Sequence, residues 1–158
     1  MEEIKIITGE YWKHNFDADL KTEKFKGLFI QGFDINSPNK FLGLMRDETT
    51  YASSYIYGNY VKPLYMRGVY VTSLLDFEKV YIKEKISVCY EFKFNRKKRL
   101  WEGTGFVKGS HWGWNATCKV GDIMKGNFGL AKILPNEKRI QKFLEGRPSL
   151  IDKIMGAL

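Results

Sequence analysis

Apolar and polar residues alternate along much of this chain, and this alternation limits the fold more than any other feature. Successive side chains of a β-strand point to opposite faces, so a period of two predicts a strand with one apolar face. Residues 111–120, HWGWNATCKV, follow this rule, with Trp112 and Trp114 on the apolar face and His111 and Asn115 on the other. Residues 86–94 follow it as well, with apolar side chains at Ile86, Val88, Tyr90, Phe92 and Phe94.

Further segments have the composition of short strands. They cover residues 25–35, 41–45, 55–61, 67–73, 77–83 and 100–107. Turn-forming residues separate them, and Lys62-Pro63 is expected to end the strand at 55–61. Trp101 shares a face with Gly103 and Gly105, which suits a strongly curved sheet. The pattern therefore predicts an all-β fold, an antiparallel meander that closes into a small barrel of about eight strands.

Helical spacing is found near the end of the chain. Pro135 opens a segment in which Ile140, Phe143 and Leu144 share a face. Ser149, with Asp152 three residues later, has the spacing of a capping box, and an apolar stripe follows in the sequence. The members of this stripe are Leu150, Ile151, Ile154, Met155 and Leu158. We expect one domain over residues 1–158 with C-terminal helices from about residue 135, and the stripe either packs on the barrel or binds a partner.

Composition excludes several classes of protein and site. No apolar run approaches the ~18 to 20 residues of a spanning helix, and the N-terminal residues are too acidic for a signal peptide, so we expect a cytoplasmic protein without a membrane partner. Neither histidine has the spacing of a local metal site, and the two cysteines lack a CxxC arrangement, so no metal or cofactor is expected.

The sequence leaves the oligomeric state open.

The formal net charge of +8 and a pI near 9.4 favour anionic partners. Part of this charge is concentrated around residues 93–99, where Lys93 precedes Arg96, Lys97, Lys98 and Arg99. Two interpretations stay open at this point. The four consecutive cations form a solvated hairpin turn, or they contact phosphate groups of a ligand or a nucleic acid.

The strand layout resembles that of the calycins, the lipocalin-like barrels. In that family a Gly-x-Trp motif near the N-terminus closes the barrel floor, and this chain has Gly9-Glu10-Tyr11-Trp12, which is one residue longer. The resemblance therefore rests on strand order and length across roughly residues 4 to 130. It implies a central cavity that binds a small, often apolar molecule.

Three functions follow as hypotheses. The first is a barrel that binds a small anionic or aromatic molecule, and the second is a nucleic-acid or nucleotide-binding module that uses the basic turn. The third is a lipocalin-like enzyme in which His111, Tyr60 or Glu102 acts as general acid or base. The candidate ligand-binding residues are Tyr57, Tyr60, Arg67, Tyr90, Trp101, Glu102, His111, Trp112, Trp114 and Asn115.

Overall fold

A computed structural model describes residues 3–12, 22–32, 35–50, 52–110 and 113–122, which form eight β-strands. The strands are β1 (Glu3–Trp12), β2 (Thr22–Gln31), β3 (Lys40–Asp47), β4 (Ser53–Met66), β5 (Val69–Tyr81), β6 (Ser87–Asn95), β7 (Leu100–Val107) and β8 (Gly113–Asp122). Each strand pairs antiparallel with the next, and β8 pairs with β1 to close the barrel. The predicted all-β meander and its closure are therefore confirmed. The helices predicted from about residue 135 lie outside the described residues.

The connections of the meander alternate between the two ends of the barrel. The chain joins β2 to β3, β4 to β5 and β6 to β7 at one end, which we call the lower end. It joins β3 to β4, β5 to β6 and β7 to β8 at the other, the upper end. Residues far apart in sequence consequently meet wherever their strands end at the same side.

Strand pleating divides the side chains into an inward and an outward set. The inward set is mostly aromatic and forms one continuous core, in which Phe29 and Phe41 have ring centroids 4.2 Å apart. Tyr90, Phe92 and Phe77 stack on one another beside them. Burial of these large apolar surfaces is the main stabilising contribution that the described residues make to the barrel.

Two long strands replace the three short ones expected between residues 55 and 83. Arg67 lies in the turn between β4 and β5, and β5 continues without a break to Tyr81. Pro63 does not end β4, because the pairing with β5 shifts register between Val61 and Leu64. A residue without an N–H is tolerated at such an irregularity, since no regular ladder hydrogen bond is lost there.

The glycines of β7 confirm the expected tight curvature. Gly103 points inward beside Trp101, and a Cβ atom at this position would lie 1.9 Å from the carbonyl oxygen of Glu91 on the neighbouring strand. Only a residue without a side chain allows the two backbones to approach this closely.

Some outward side chains of β2 and β3 are buried as well. Leu28 and Ile30 have no exposed surface, and Leu44 is 1% exposed. Because successive side chains of a strand alternate between its two faces, these three lie on the outer face, while their neighbours Phe29 and Met45 point inward. Over residues 28–30 of β2 and 41–45 of β3, both faces are therefore apolar and buried, which hides in these segments the alternation that made β6 and β8 easy to predict.

Candidate functional site

The structure brings four of the ten predicted ligand-binding residues into the interior. Tyr60 and Trp101 lie in the lower half with ring centroids 6.1 Å apart, and both are almost fully buried. Tyr90 and Trp114 lie in the upper half, where the indole Nε1 of Trp114 donates a hydrogen bond of 3.1 Å to the hydroxyl of Tyr90. The interior therefore holds two separate pairs of predicted residues.

Four other predicted residues lie elsewhere. Tyr57 is on the outer face of β4 and donates a hydrogen bond to Glu78, while Asn115 is on the outer face of β8. Glu102 is on the outer face of β7, and Arg67 is exposed in the β4–β5 turn. Tyr60 and Glu102 thus lie on opposite sides of the barrel wall and do not form one general acid–base pair. His111 and Trp112 lie outside the described residues.

A cluster of polar side chains inside the upper end did not emerge from the sequence. The Nζ atom of Lys79 lies 2.5 Å from Oδ1 of Asp47, and the two side chains are 0% and 2% exposed. The hydroxyl groups of Tyr81 and Tyr11 donate hydrogen bonds of 2.6 and 3.2 Å to Oδ2 of the same carboxylate. We call Asp47, Lys79, Tyr11 and Tyr81 the upper cluster.

Strand ends explain how the upper cluster forms. Asp47 is the last residue of β3, Tyr81 is the last of β5, and Tyr11 is the penultimate residue of β1. All three strands finish at the upper end, and Lys79 precedes Tyr81 by two positions on the same inward face. The cluster is therefore a product of the barrel topology.

Aromatic rings surround the buried ammonium group. The Nζ atom of Lys79 lies 4.7 Å from the ring centroid of Tyr81, and 5.4 and 5.5 Å from those of Tyr11 and Phe25. Rings at these distances attract a cation through their negative faces. The ring of Trp114 lies 5.9 Å from that of Tyr11, so a predicted residue adjoins the upper cluster.

Burial is the largest cause of the pKa shifts in the upper cluster. Burial lowers the pKa of Lys79, while the charge of Asp47 acts in the opposite direction. It raises the pKa values of Tyr11 and Tyr81, and the neighbouring Asp47 carboxylate raises both further. Both phenols therefore stay protonated and serve as hydrogen-bond donors over the physiological range.

One weak signal in the sequence pointed to this site. Lys79 stands between Phe77 and Tyr81 in a period-two series, so a cation occupied a position on the apolar face. Asp47 had no comparable signal, because residues 41–45 before it are apolar on both faces of β3 and no alternation marks its orientation. The partnership joins residues 32 positions apart and depended on the strand register.

The basic turn has the geometry of a capped hairpin. The side-chain oxygen of Asn95 accepts hydrogen bonds of 3.1 Å from the backbone N–H groups of Lys97 and Lys98. All four cations, Arg96 to Arg99, are exposed, and Lys98 forms an ion pair of 3.3 Å with Glu102. Hydrogen bonds from Asn95 and, to a smaller extent, from Lys98 lower the pKa of Glu102. The expectation of a solvated hairpin turn is confirmed, and phosphate contact stays a prediction.

An open surface pocket of about 620 Å³ adjoins this turn. It is lined by Ser73, Lys93, Phe94, Asn95, Arg96, Lys97 and Glu102. Ser73 belongs to β5, so the pocket connects the basic turn to the neighbouring hairpin.

The part of the chain that the structure describes contains no group of three potential metal ligands. It also contains no helix of the length and hydropathy needed to cross a membrane. When the chain was compared with protein-family models, curated proteins and solved structures, no family model, curated protein or solved structure matched it.

Proposed function

We propose that this protein binds a small anionic or aromatic molecule inside the upper end of its barrel, in contact with the upper cluster. A single observation carries the proposal, the fully buried Asp47–Lys79 pair in a largely apolar interior that is rich in aromatic rings. A buried ion pair loses so much solvation energy that it contributes little to stability compared with well-packed apolar residues. Perturbed ionisable groups in such surroundings are frequent at functional sites.

The chemistry of the upper cluster suits a ligand with both polar and aromatic parts. Lys79 has three N–H donors and an aromatic surrounding, so a ligand carboxylate or carbonyl close to Nζ accepts a charge-assisted hydrogen bond. The rings of Tyr11 and Trp114 lie 5.9 Å apart beside the cluster, and in this proposal the aromatic part of the ligand packs against them. This proposal is consistent with the calycin resemblance, in which the ligand also binds inside the barrel.

The two alternatives have less support. In the nucleic-acid hypothesis aromatic residues stack bases beside the basic turn, but Tyr90 and Trp101 are 1% and 2% exposed inside the barrel. In the enzyme hypothesis Tyr60 and Glu102 are separated by the barrel wall. In the small-molecule proposal, by contrast, the interior residues contact the ligand from the positions that they occupy inside the barrel.

A binding measurement tests the proposal. The anionic aromatic dye 8-anilino-1-naphthalenesulfonate serves as the probe, and native mass spectrometry reveals any small molecule that co-purifies. We expect Lys79→Met to weaken dye binding by roughly 10- to 100-fold, because a hydrogen bond to a charged group contributes about 1.5–3 kcal/mol. Lys83→Met removes an exposed lysine from the β5–β6 turn and is expected to leave the affinity unchanged.

Folding has to be controlled in this experiment. Circular dichroism and Tm identify a Lys79→Met protein that fails to fold, and Tyr81→Phe then replaces it, because this change removes only the hydroxyl that contacts Asp47. Equal dye affinity in folded Lys79→Met, Tyr81→Phe and wild-type protein would overturn the proposal.

A further inference from the structure

The β4–β5 hairpin extends beyond the wall of the barrel at the lower end. Asn59 is the last residue of β4 in register with β3, and Leu75 is the first residue of β5 in register with β6. In the described part of the chain, residues 61–74 therefore pair with each other and with no further strand. At about 3.3 Å per residue, this projection is on the order of 20 Å long. Its tip is a two-residue turn in which Arg67 and Gly68 both have positive φ.

The projecting hairpin exposes apolar side chains. Tyr65 is 63% exposed and Leu64 51%, and Met66 and Val69 flank the tip at 49% each. The β2–β3 connection reaches the same end and exposes Ile35 at 93%. The four hairpin side chains are neighbours on one projecting element, and a contiguous exposed apolar patch marks an interaction surface.

Exposed cations occur at the same end of the barrel. Lys62 and Arg67 lie on the hairpin itself, and the turn of residues 96–99 reaches the lower end beside it. Ser73 of the hairpin lines the same pocket as Arg96 and Lys97, so the two features adjoin. One end of the barrel thus combines protruding apolar side chains with exposed positive charge.

We propose that the lower end docks on an anionic membrane surface. The hairpin tip and Ile35 enter the headgroup region, while the 96–99 turn contacts lipid phosphates and carboxylates. Apolar insertion and attraction to anionic lipid act together in peripheral binding, and each cation close to the surface adds to the affinity. The expectation of no membrane partner came from the lack of a spanning segment, and surface docking needs none.

The combination of features favours lipid over nucleic acid. Phosphate contact alone explains the cations equally well for both partners. A nucleic-acid backbone, however, offers no apolar layer for Leu64, Met66 and Ile35, whereas the lipid interface does. The inference is independent of ligand binding in the barrel, because it concerns the opposite end.

Vesicle co-sedimentation tests this inference. Vesicles of phosphatidylcholine with about 30% phosphatidylserine are compared with pure phosphatidylcholine vesicles at low and physiological salt. We expect at least tenfold tighter binding to the anionic vesicles. Arg96→Gln with Lys97→Gln, and separately Ile35→Ser with Met66→Ser, are each expected to weaken that binding at least fivefold. These four side chains are exposed, so the variants are expected to fold, which circular dichroism verifies.

The upper end supplies matched controls. Lys83→Gln with Lys85→Gln removes the same charge from the β5–β6 turn, and Ile86→Ser removes an apolar side chain that is 44% exposed. Both controls are expected to bind anionic vesicles like the wild type. Equal loss in the control variants overturns the proposal, and so does binding to anionic vesicles that ignores the Ile35 and Met66 changes. Tighter binding to a generic oligonucleotide than to anionic vesicles, lost with Arg96 and Lys97 but not with the apolar side chains, also overturns it and assigns the turn to nucleic acid.

Discussion

The indole of Trp114 donates a 3.1 Å hydrogen bond to the hydroxyl of Tyr90, across the inner surface of three neighbouring strands. Gly105 lies between the two side chains on β7. A Cβ atom at this position would lie 2.6 Å from the Tyr90 ring and 2.8 Å from the Trp114 nitrogen. The missing side chain of Gly105 therefore makes room for this hydrogen bond.

We expect Gly105→Ala to destabilise the barrel by about 1–3 kcal/mol, because overpacking forces the two rings out of their positions. The matched control is Gly121→Ala, since a Cβ atom at Gly121 has no neighbour within 4 Å. Urea unfolding measures both changes. Equal stability of the two variants would show that Tyr90 and Trp114 adapt without cost.

The Asp47–Lys79 pair makes a prediction about coupling. Replacing Asp47 with Leu leaves the buried Lys79 ammonium without this partner, and we expect a loss of about 3–5 kcal/mol. Lys79→Met is expected to lower the free energy of unfolding by less, because Asp47 still accepts hydrogen bonds from the hydroxyl groups of Tyr11 and Tyr81. The double variant is expected to be near wild-type stability, since apolar residues replace both charges.

A double-mutant cycle from urea unfolding measures this coupling. The exposed pair of Lys98 and Glu102 serves as the control, and little coupling is expected there because solvent screens the charges. Additive losses in the Asp47 and Lys79 variants would contradict the prediction.

Alkaline pH is expected to unfold the protein through its buried tyrosines. Burial raises the pKa of Tyr11, Tyr81 and Tyr90 in the folded state. A group with a raised folded pKa contributes stability that is fully present below its unfolded pKa of about 10 and is lost as the pH rises above it. Absorbance at 295 nm follows ionisation and circular dichroism follows unfolding. We expect these three tyrosines to ionise together with unfolding, and their ionisation near pH 10 in a folded protein would refute this.

The buried outer side chains of β2 and β3 lead to a prediction about the C-terminal stripe. Leu28, Ile30 and Leu44 face outward yet are buried, and the sequence predicts an apolar stripe over residues 150–158 that would suit such a face. If the stripe packs there, deletion of residues 147–158 exposes at least one leucine and lowers stability by about 1.5–3 kcal/mol. Thermal unfolding measures the loss. An unchanged Tm would favour the alternative in which the stripe binds a partner.

The predictability of each strand followed from how its two faces differ. In β6 and β8 one face meets the core and the other meets solvent, so the period of two assigned Tyr90 and Trp114 to the apolar face directly from the residues. Over residues 28–30 of β2 and 41–45 of β3 both faces are buried, and the alternation that would distinguish Leu28 from Phe29 is missing there. The prediction that Pro63 ends a strand was wrong for another reason. The rule that proline breaks a strand considers only the local sequence, and it could not foresee that β4 continues into a projecting hairpin with irregular pairing.

The sequence by itself determined the fold class, because alternation and turn residues are local properties and a meander needs only neighbouring strands to pair. It also determined the basic turn, whose cap from Asn95 spans three residues. The tertiary structure alone decided which side chains meet. Asp47 and Lys79 belong to β3 and β5, which are not adjacent, and their contact depends on the curvature of the sheet and on the register of β4, the strand between them. The two ends of the barrel differ for the same physical reason. In an antiparallel meander successive connections lie at alternate ends, so each end brings together residues from every second connection. The upper end thereby has a buried polar cluster, and the lower end has an apolar and basic surface.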